Sequence, residues 1–279
     1  MRRPRLAAIA VGAGLFLAGG TGWAQGTNQA RVEALALPRF DGAITLHYSP
    51  PAAAEAARTH AELEAAVLWF RRRLGWTATV RVAVLSKPDF ARATAIPYPT
   101  PHAESSTGFI ILADRVDEHP GFERWDLDGP ALNAAWGVHE LGHVLARDLG
   151  IASANSWVGE LVANIFMAAY VRAERPALVG FQSGLPPRFR APPRYTRLAE
   201  LDALYFSIGQ ENYLWFQFEI GRLADYLVAA KDLPVVVADL QREFPAAARR
   251  GRESVAETFT RLERVRAGVT AAAGALFGD

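Results

Sequence analysis

The pattern of apolar and polar positions predicts a small sheet in the first half of the chain. Residues 77–85 alternate at a period of two, as expected of a strand with one buried face, and residues 43–48 and 108–113 also have the character of strands. Residues 52–74 are rich in alanine and have apolar positions at helical spacing. The proline-rich residues 96–106 predict a loop before the last strand.

The second half of the chain has helical spacing almost throughout. The exception is residues 176–193, where proline and arginine predict a loop that either overhangs a neighbouring cleft or only links two helices. We therefore predict an α+β fold with two lobes. The N-terminal lobe, residues 25–150, is expected to combine a small mixed sheet with helices, and the C-terminal lobe, residues 151–279, to be mainly helical.

The first 24 residues differ from the rest and are typical of a signal peptide. Three arginines precede an apolar stretch of about 15 residues and a small-residue cleavage region. This stretch is short for a bilayer span and is interrupted by glycines. We therefore expect an exported protein, secreted or periplasmic, with no stable membrane span after cleavage. A leader that is kept as an anchor is the alternative.

Charge and cysteine content limit the classes of function. The chain has 30 basic and 29 acidic side chains, and residues 1–24 contain three arginines and no acid, so the mature chain would have 27 basic and 29 acidic side chains. A nearly neutral protein without a basic stripe is a poor candidate for binding nucleic acid. Without cysteine the chain forms no disulfide, and its compartment cannot be inferred from redox chemistry.

The candidate chemistry begins with the sequence HELGH at residues 139–143, inside an apolar stretch with helical spacing. Residues four apart lie on one face of a helix, so the imidazoles of His139 and His143 can both reach one zinc ion. Glu140 lies beside that position and can accept a proton from water at the metal, as in the HExxH arrangement of zinc peptidases. The alternative is a structural helix with two core histidines and a solvated glutamate.

A catalytic zinc site needs a third protein ligand. A continuation of the motif by glycine and histidine is excluded, since those positions hold Ala146 and Leu149, and Asp148 lies about 180° round the helix from His139. Glu160 is the better candidate, because it is the only charge in the apolar run 157–171 and a buried carboxylate needs a partner.

The sequence near Glu160 also offers a supporting side chain and leaves one alternative to metal binding open. Asn164 follows Glu160 by one helical turn and could hydrogen-bond the part of a metal ligand that faces away from the ion. An ion pair between Glu160 and an arginine is the alternative interpretation of the buried carboxylate.

The HELGH motif followed by SWVGE at residues 156–160 resembles the gluzincins, the thermolysin-like zinc peptidases, and most of all their short peptidase-MA-like branch. The run NYLWFQFEIGRLADYL at 212–227 and the acidic-aromatic segment 253–259 are also similar to that group. The resemblance covers about residues 130 to 265. It departs from the group at Asn164, where an aspartate is usual, and it lacks the Gly-x-Met-Glu-Asn segment of the aminopeptidases.

The resemblance implies a zincin-like catalytic domain, with His139, His143 and Glu160 as Zn²⁺ ligands and Glu140 as general base. By resemblance alone, Tyr213 is the first candidate for the donor that stabilises the tetrahedral oxyanion, and Tyr98 and His102 are weaker alternatives. In zincins a strand before the active-site helix forms the rim of the cleft, and residues 108–113 or a neighbouring strand are expected to pair with an extended substrate here, or else to be an ordinary sheet strand. The remaining histidines are expected to be ordinary surface or strand residues: His47, His60 and His119.

These observations predict an exported zinc metallopeptidase whose partner is a peptide or protein substrate. Two alternatives stay open. The first is a zinc amidase acting on cell-wall peptides, and the second is a non-catalytic zincin-like protein that binds a peptide or partner protein. The presence of Glu140 disfavours the second, because a binding protein has no need of a base at that position.

Overall fold

The structure is a computed structural model and describes residues 27–119, 129–178, 192–248 and 251–278. The predicted signal peptide and most of the predicted loop at 176–193 lie outside the described residues. The strands are β1 (Arg39–Asp41), β2 (Ile44–Tyr48), β3 (Val80–Leu85), β4 (His102–Ala103) and β5 (Ile110–Ala113). The helices are α1 (Asn28–Ala34), α2 (Ala53–Leu74), α3 (Lys87–Ala93), α4 (Gly129–Asp148), α5 (Ser156–Glu174), α6 (Leu198–Leu204), α7 (Gln210–Val228), α8 (Leu233–Glu243), α9 (Val255–Val265) and α10 (Val269–Gly274).

The five strands form one mixed sheet in the order β1-β2-β3-β5-β4. β2, β3 and β5 are parallel neighbours, and β1 and β4 pair antiparallel at the two edges. The predicted α+β class with a small mixed sheet is confirmed. One face of the sheet contributes to a large apolar cluster with α2 and α4, and the other packs against α1 and α3. Both faces are therefore covered, as is usual where parallel strands are joined by helices.

The predicted strands at 43–48, 77–85 and 108–113 correspond to β2, β3 and β5. The expectation of a loop throughout 96–106 is wrong at β4, the edge strand. β4 continues into a tight hairpin, in which Glu104 N donates to Phe109 O (2.8 Å) and Gly108 N donates to Glu104 O (2.7 Å). Such a short strand depends on pairing with β5 and has no periodicity of its own, so the pattern did not reveal it.

The helical half packs onto the sheet half through α4 and α5. The large apolar cluster contains side chains from the sheet, from α2 and from the helices between α4 and α10, so a continuous core underlies both predicted lobes. The division into two lobes stays a prediction. Among the described residues, no helix has both the length and the apolar character needed to cross a bilayer.

Candidate metal centre

Helix α4 holds the HELGH motif with its apolar face in the core. The helix ends at Asp148 and is followed by Gly150 in the left-handed conformation (φ +71°), which is the usual way to stop a helix. His139 and Glu140 are buried, and His143 is half-buried. The two imidazole rings lie 4.9 Å apart, as their spacing of one helical turn requires.

Gly142 brings the next helix unusually close to α4. A Cβ atom at this position would lie 2.5 Å from Ala163 O and 2.8 Å from Ala163 Cα, which are backbone atoms of α5. The absence of a side chain therefore permits the contact. This close approach places Glu160, on α5, opposite the two histidines of α4.

The N-terminus of α5 is fixed by residues from distant parts of the chain. Asp202, buried on α6, accepts hydrogen bonds from Asn155 Nδ2 (2.7 Å) and Trp157 N (3.3 Å). Asn155 also donates to Glu253 O (2.8 Å). The bond from Trp157 N satisfies a donor in the first turn of α5 that the helix itself cannot satisfy. Together the three bonds hold the turn from which Glu160 projects.

The three predicted ligands converge on one point. His139 Nε2 lies 3.3 Å and His143 Nε2 lies 3.7 Å from the same oxygen, Glu160 Oε2. The three ligand atoms all lie within 4.8 Å of one another, and this group could hold a metal ion. It is the one such group of histidine, cysteine, aspartate and glutamate side chains within the described parts of the chain.

The charges of this group are strongly coupled. Burial acts to raise the pKa of Glu160, but the hydrogen bonds and charges of His139 and His143 outweigh it and hold the pKa well below its usual value. Burial acts to lower the pKa of His143, but the hydrogen bond and charge of Glu160, helped by the charge of Glu140, raise it to about 9. The carboxylate at 160 is therefore ionised and serves as a strong acceptor.

Three polar side chains hydrogen-bond the candidate ligands. Asn164 Oδ1 lies 3.2 Å from His139 Nδ1, so a hydrogen bond at this ring nitrogen orients the imidazole while Nε2 faces Glu160. Tyr205 donates its hydroxyl to Glu160 Oε1, and Gln217 Nε2 donates to Glu160 Oε2 (2.7 Å). Both oxygens of the glutamate are therefore fixed in position before any ion binds.

The two predicted catalytic side chains lie at the same centre. Burial raises the pKa of Glu140, against the opposing charges of His143 and His139. Burial and the charge of Glu160 raise the pKa of Tyr213 well above its usual value, although the hydrogen bond from Gln217 opposes them. The phenol at 213 is therefore protonated at neutral pH and can act as a donor.

The edge strand β4 borders this centre. The backbone N–H of Ala103 is directed at the carboxylate of Glu140 and lowers its pKa, against the larger effect of burial. The flanking residue Glu104 directs its own N–H and C=O towards the β5 side of the hairpin. Because backbone groups alternate along a strand, Ala103 presents its N–H and C=O at the open edge.

Other residues considered from the sequence lie elsewhere. Tyr98 donates to Asp114 (2.8 Å), and His102 packs against Phe90 and lies 3.3 Å from Asn28 Nδ2, on the face of the sheet away from α4. Neither joins the metal centre. Asp148 accepts hydrogen bonds from Trp76 and Arg147 instead of facing the histidines. Of the three remaining histidines, His119 is buried against Trp136, and His47 and His60 lie in the sheet half of the protein.

Tyr205 and Gln217 were not predicted from the sequence. Tyr205 follows the short helix α6 and has no pattern that could have indicated its position. Gln217 did have a signal: with Gln210 and Tyr213 it forms a polar stripe at spacings of three and four along helix α7.

Comparisons with protein-family models, with curated proteins and with solved structures each gave no match. A function is therefore inferred from the geometry of these side chains and from the resemblance of the motif.

Proposed function

We propose that this protein is a zinc-dependent metallopeptidase with a zincin-like catalytic domain. The observation that supports this most is the spacing of the ligand atoms. In a tetrahedral zinc site with bonds of about 2.0–2.1 Å, neighbouring ligand atoms are about 3.3 Å apart. The distances from Glu160 Oε2 to the imidazole nitrogens of His139 and His143 are 3.3 and 3.7 Å. Two imidazoles and one carboxylate are also a ligand set that suits zinc.

A zinc ion bound by this set would act as a Lewis acid on the scissile carbonyl and would acidify the attacking water. The side chains supply the remaining steps. Glu140 accepts the proton of the water molecule and passes it to the leaving amine, and its raised pKa makes it a better base. The hydroxyl of Tyr213 donates a hydrogen bond to the oxygen on which negative charge develops.

An extended peptide has a place to pair beside these groups. β5 lies between β3 and β4, so the open edge belongs to β4, the neighbour of the strand singled out from the sequence. The C=O of Ala103 at this edge would accept a hydrogen bond from one residue of a substrate that is added as a further strand. The N–H directed at Glu140 places the paired backbone next to the general base.

The export of the enzyme belongs to the same proposal and is supported by the composition of residues 1–24. Action on an amide in a cell-wall peptide is a narrower form of the same chemistry, and a profile of cleaved substrates distinguishes the two. A non-catalytic binding role is disfavoured by Glu140, which is buried beside the ligands as a base would be.

The experiment is a comparison of Glu140→Gln with Glu219→Gln. Glu219 is also a buried glutamate, but it is paired with Arg222 on α7 and lies outside the metal centre. We expect Glu140→Gln to keep one zinc per chain and to lose at least about 100-fold in cleavage of a peptide library, because general-base catalysis contributes that much. Glu219→Gln should cleave as the wild type does. Equal cleavage by both variants, or none by zinc-loaded wild type, contradicts the proposal.

A further inference from the structure

The hydrogen bonds behind the metal ligands have a fixed direction. With zinc on Nε2, which faces Glu160, the imidazole of His139 would keep its proton on Nδ1 and donate it to Asn164 Oδ1 (3.2 Å). The amide nitrogen of Asn164 then donates to the backbone carbonyl of Glu160 (2.9 Å), a group that can only accept. The two neighbours together allow one orientation of this amide.

The series of hydrogen bonds continues through Gln217, again from donor to acceptor. Its Oε1 lies 3.3 Å from Asn164 Nδ2 and accepts from it. Its Nε2 donates to Glu160 Oε2 (2.7 Å) and to the phenol oxygen of Tyr213 (2.8 Å). Since an ionised carboxylate can only accept, the orientation of the Gln217 amide is also determined.

These fixed orientations determine where the hydroxyl proton of Tyr213 can point. Its oxygen accepts the hydrogen bond from Gln217, so its own proton must point elsewhere. The hydroxyl of Tyr205 lies close by, but the single proton of that hydroxyl is donated to Glu160. The proton of Tyr213 can therefore rest on the oxygen of Tyr205, or it can turn to a substrate oxygen, where developing negative charge makes the stronger acceptor.

We propose that Asn164 and Gln217 are positioning residues that form a one-way hydrogen-bond chain from the metal ligand His139 to Tyr213 and so leave the Tyr213 proton free for the substrate. This inference rests on the proposed function. It gives a reason for the asparagine at 164, where similar enzymes have an aspartate. An aspartate would accept the proton of His139 equally well, but it has no N–H to donate to Gln217.

The test is a double-mutant cycle of Asn164→Asp and Tyr213→Phe, two residues whose side chains share no hydrogen bond in the structure. With aspartate at 164, Gln217 no longer receives a hydrogen bond and its amide turns. Oε1 then faces Tyr213 and takes up the hydroxyl proton. We expect kcat on a cleaved peptide to fall about 10-fold or more with little change in KM. Zinc affinity, measured by competition with a chelator, should change less than kcat, because the carboxylate at 164 strengthens the imidazole ligand while the turned amide no longer donates to Glu160.

In the Tyr213→Phe background no hydroxyl is left to misdirect, so Asn164→Asp should lower kcat no further. Effects on kcat that multiply independently overturn the proposal, as does a loss of zinc affinity in Asn164→Asp that parallels the loss of activity.

A third variant keeps the outcome separate from the proposed function. Gln217→Leu removes the donor to Glu160 Oε2, so zinc should bind about 10-fold more weakly. With leucine at 217 there is no amide to turn, so adding Asn164→Asp should then raise zinc affinity, by more than the same change does with glutamine at 217. Zinc affinity needs no substrate. If the zinc-loaded wild type cleaves nothing, the proposed function fails, and the chain is then supported by this contrast in zinc affinity or overturned by its absence.

Discussion

The close contact between α4 and α5 gives a test of how the candidate metal centre is assembled. In Gly142→Ala, the new methyl group would lie 2.5 Å from Ala163 O, a backbone atom that cannot rotate away. Ordinary contact begins at 3.4 Å, so the two helices must separate by about 0.9 Å at this point. His139 and His143 lie on one of these helices and Glu160 on the other, so the separation moves Glu160 away from the two histidines.

The expected effect is large compared with what a zinc site tolerates. Ligand distances in such sites vary by about 0.2 Å, and a shift several times larger removes one ligand from coordination. We expect Gly142→Ala to bind zinc at least about 10-fold more weakly and to lose roughly 1–3 kcal/mol in free energy of unfolding from overpacking. Zinc affinity is measured by chelator competition and stability by urea unfolding of the metal-free protein.

Gly159→Ala is the matched control. It makes the same chemical change in α5, next to Glu160, but the new Cβ would have no neighbour within 4 Å. We expect zinc affinity to be unchanged and stability to rise by about 0.5–1 kcal/mol, since alanine favours a helix over glycine. If Gly142→Ala binds zinc and unfolds like the control, the close helix contact does not set the geometry of the site.

Two further predictions concern Tyr205 and the edge strand. Tyr205→Phe removes the hydroxyl that donates to Glu160 Oε1, so zinc affinity should fall about 10-fold, and an affinity equal to that of the wild type would contradict the role assigned to this residue. Burial lowers the pKa of His102 from 6.5 to about 4, against the bond to Thr100 O and the charge of Glu104. The unfolded chain therefore binds a proton that the folded protein excludes, and stability should fall by about 3 kcal/mol as the pH is lowered from 6.5 to 4. Urea unfolding at pH 7 and at pH 4.5 should show a smaller loss of stability in His102→Asn than in the wild type. Equal losses would show that His102 is not the source of this pH dependence.

The elements with a strong period could be predicted from the sequence, because their local pattern and their environment in the fold agree. Residues 52–74 have helical spacing and form α2, and residues 43–48 and 108–113 form neighbours of the central strand β3. β4 could not be predicted, since it is stabilised by its hairpin with β5 and by no pattern of its own. Its place beside Glu140 follows from the order of strands in the sheet, which local patterns do not contain.

In the candidate site, too, some residues could be predicted from the sequence and others could not. Glu160 could be selected because one charge in an apolar helix must have a partner, and the structure brings it to the two histidines. The contacts of Tyr205 and Gln217 with Glu160 join residues 45 and 57 positions apart, and they depend on how α6 and α7 pack against α5. Such contacts are set by tertiary packing, so the sequence indicated the candidate ligands better than the groups that orient them.

The most direct test of the central claim is a zinc titration of the purified wild type, Glu160→Gln and Glu219→Gln. The account predicts one zinc per chain for the wild type and the Glu219→Gln control. It predicts a loss of at least about 100-fold in affinity for Glu160→Gln, because a neutral amide replaces the carboxylate that both imidazoles face. Equal zinc affinity in all three proteins would show that the carboxylate at 160 is not a ligand and would contradict the account.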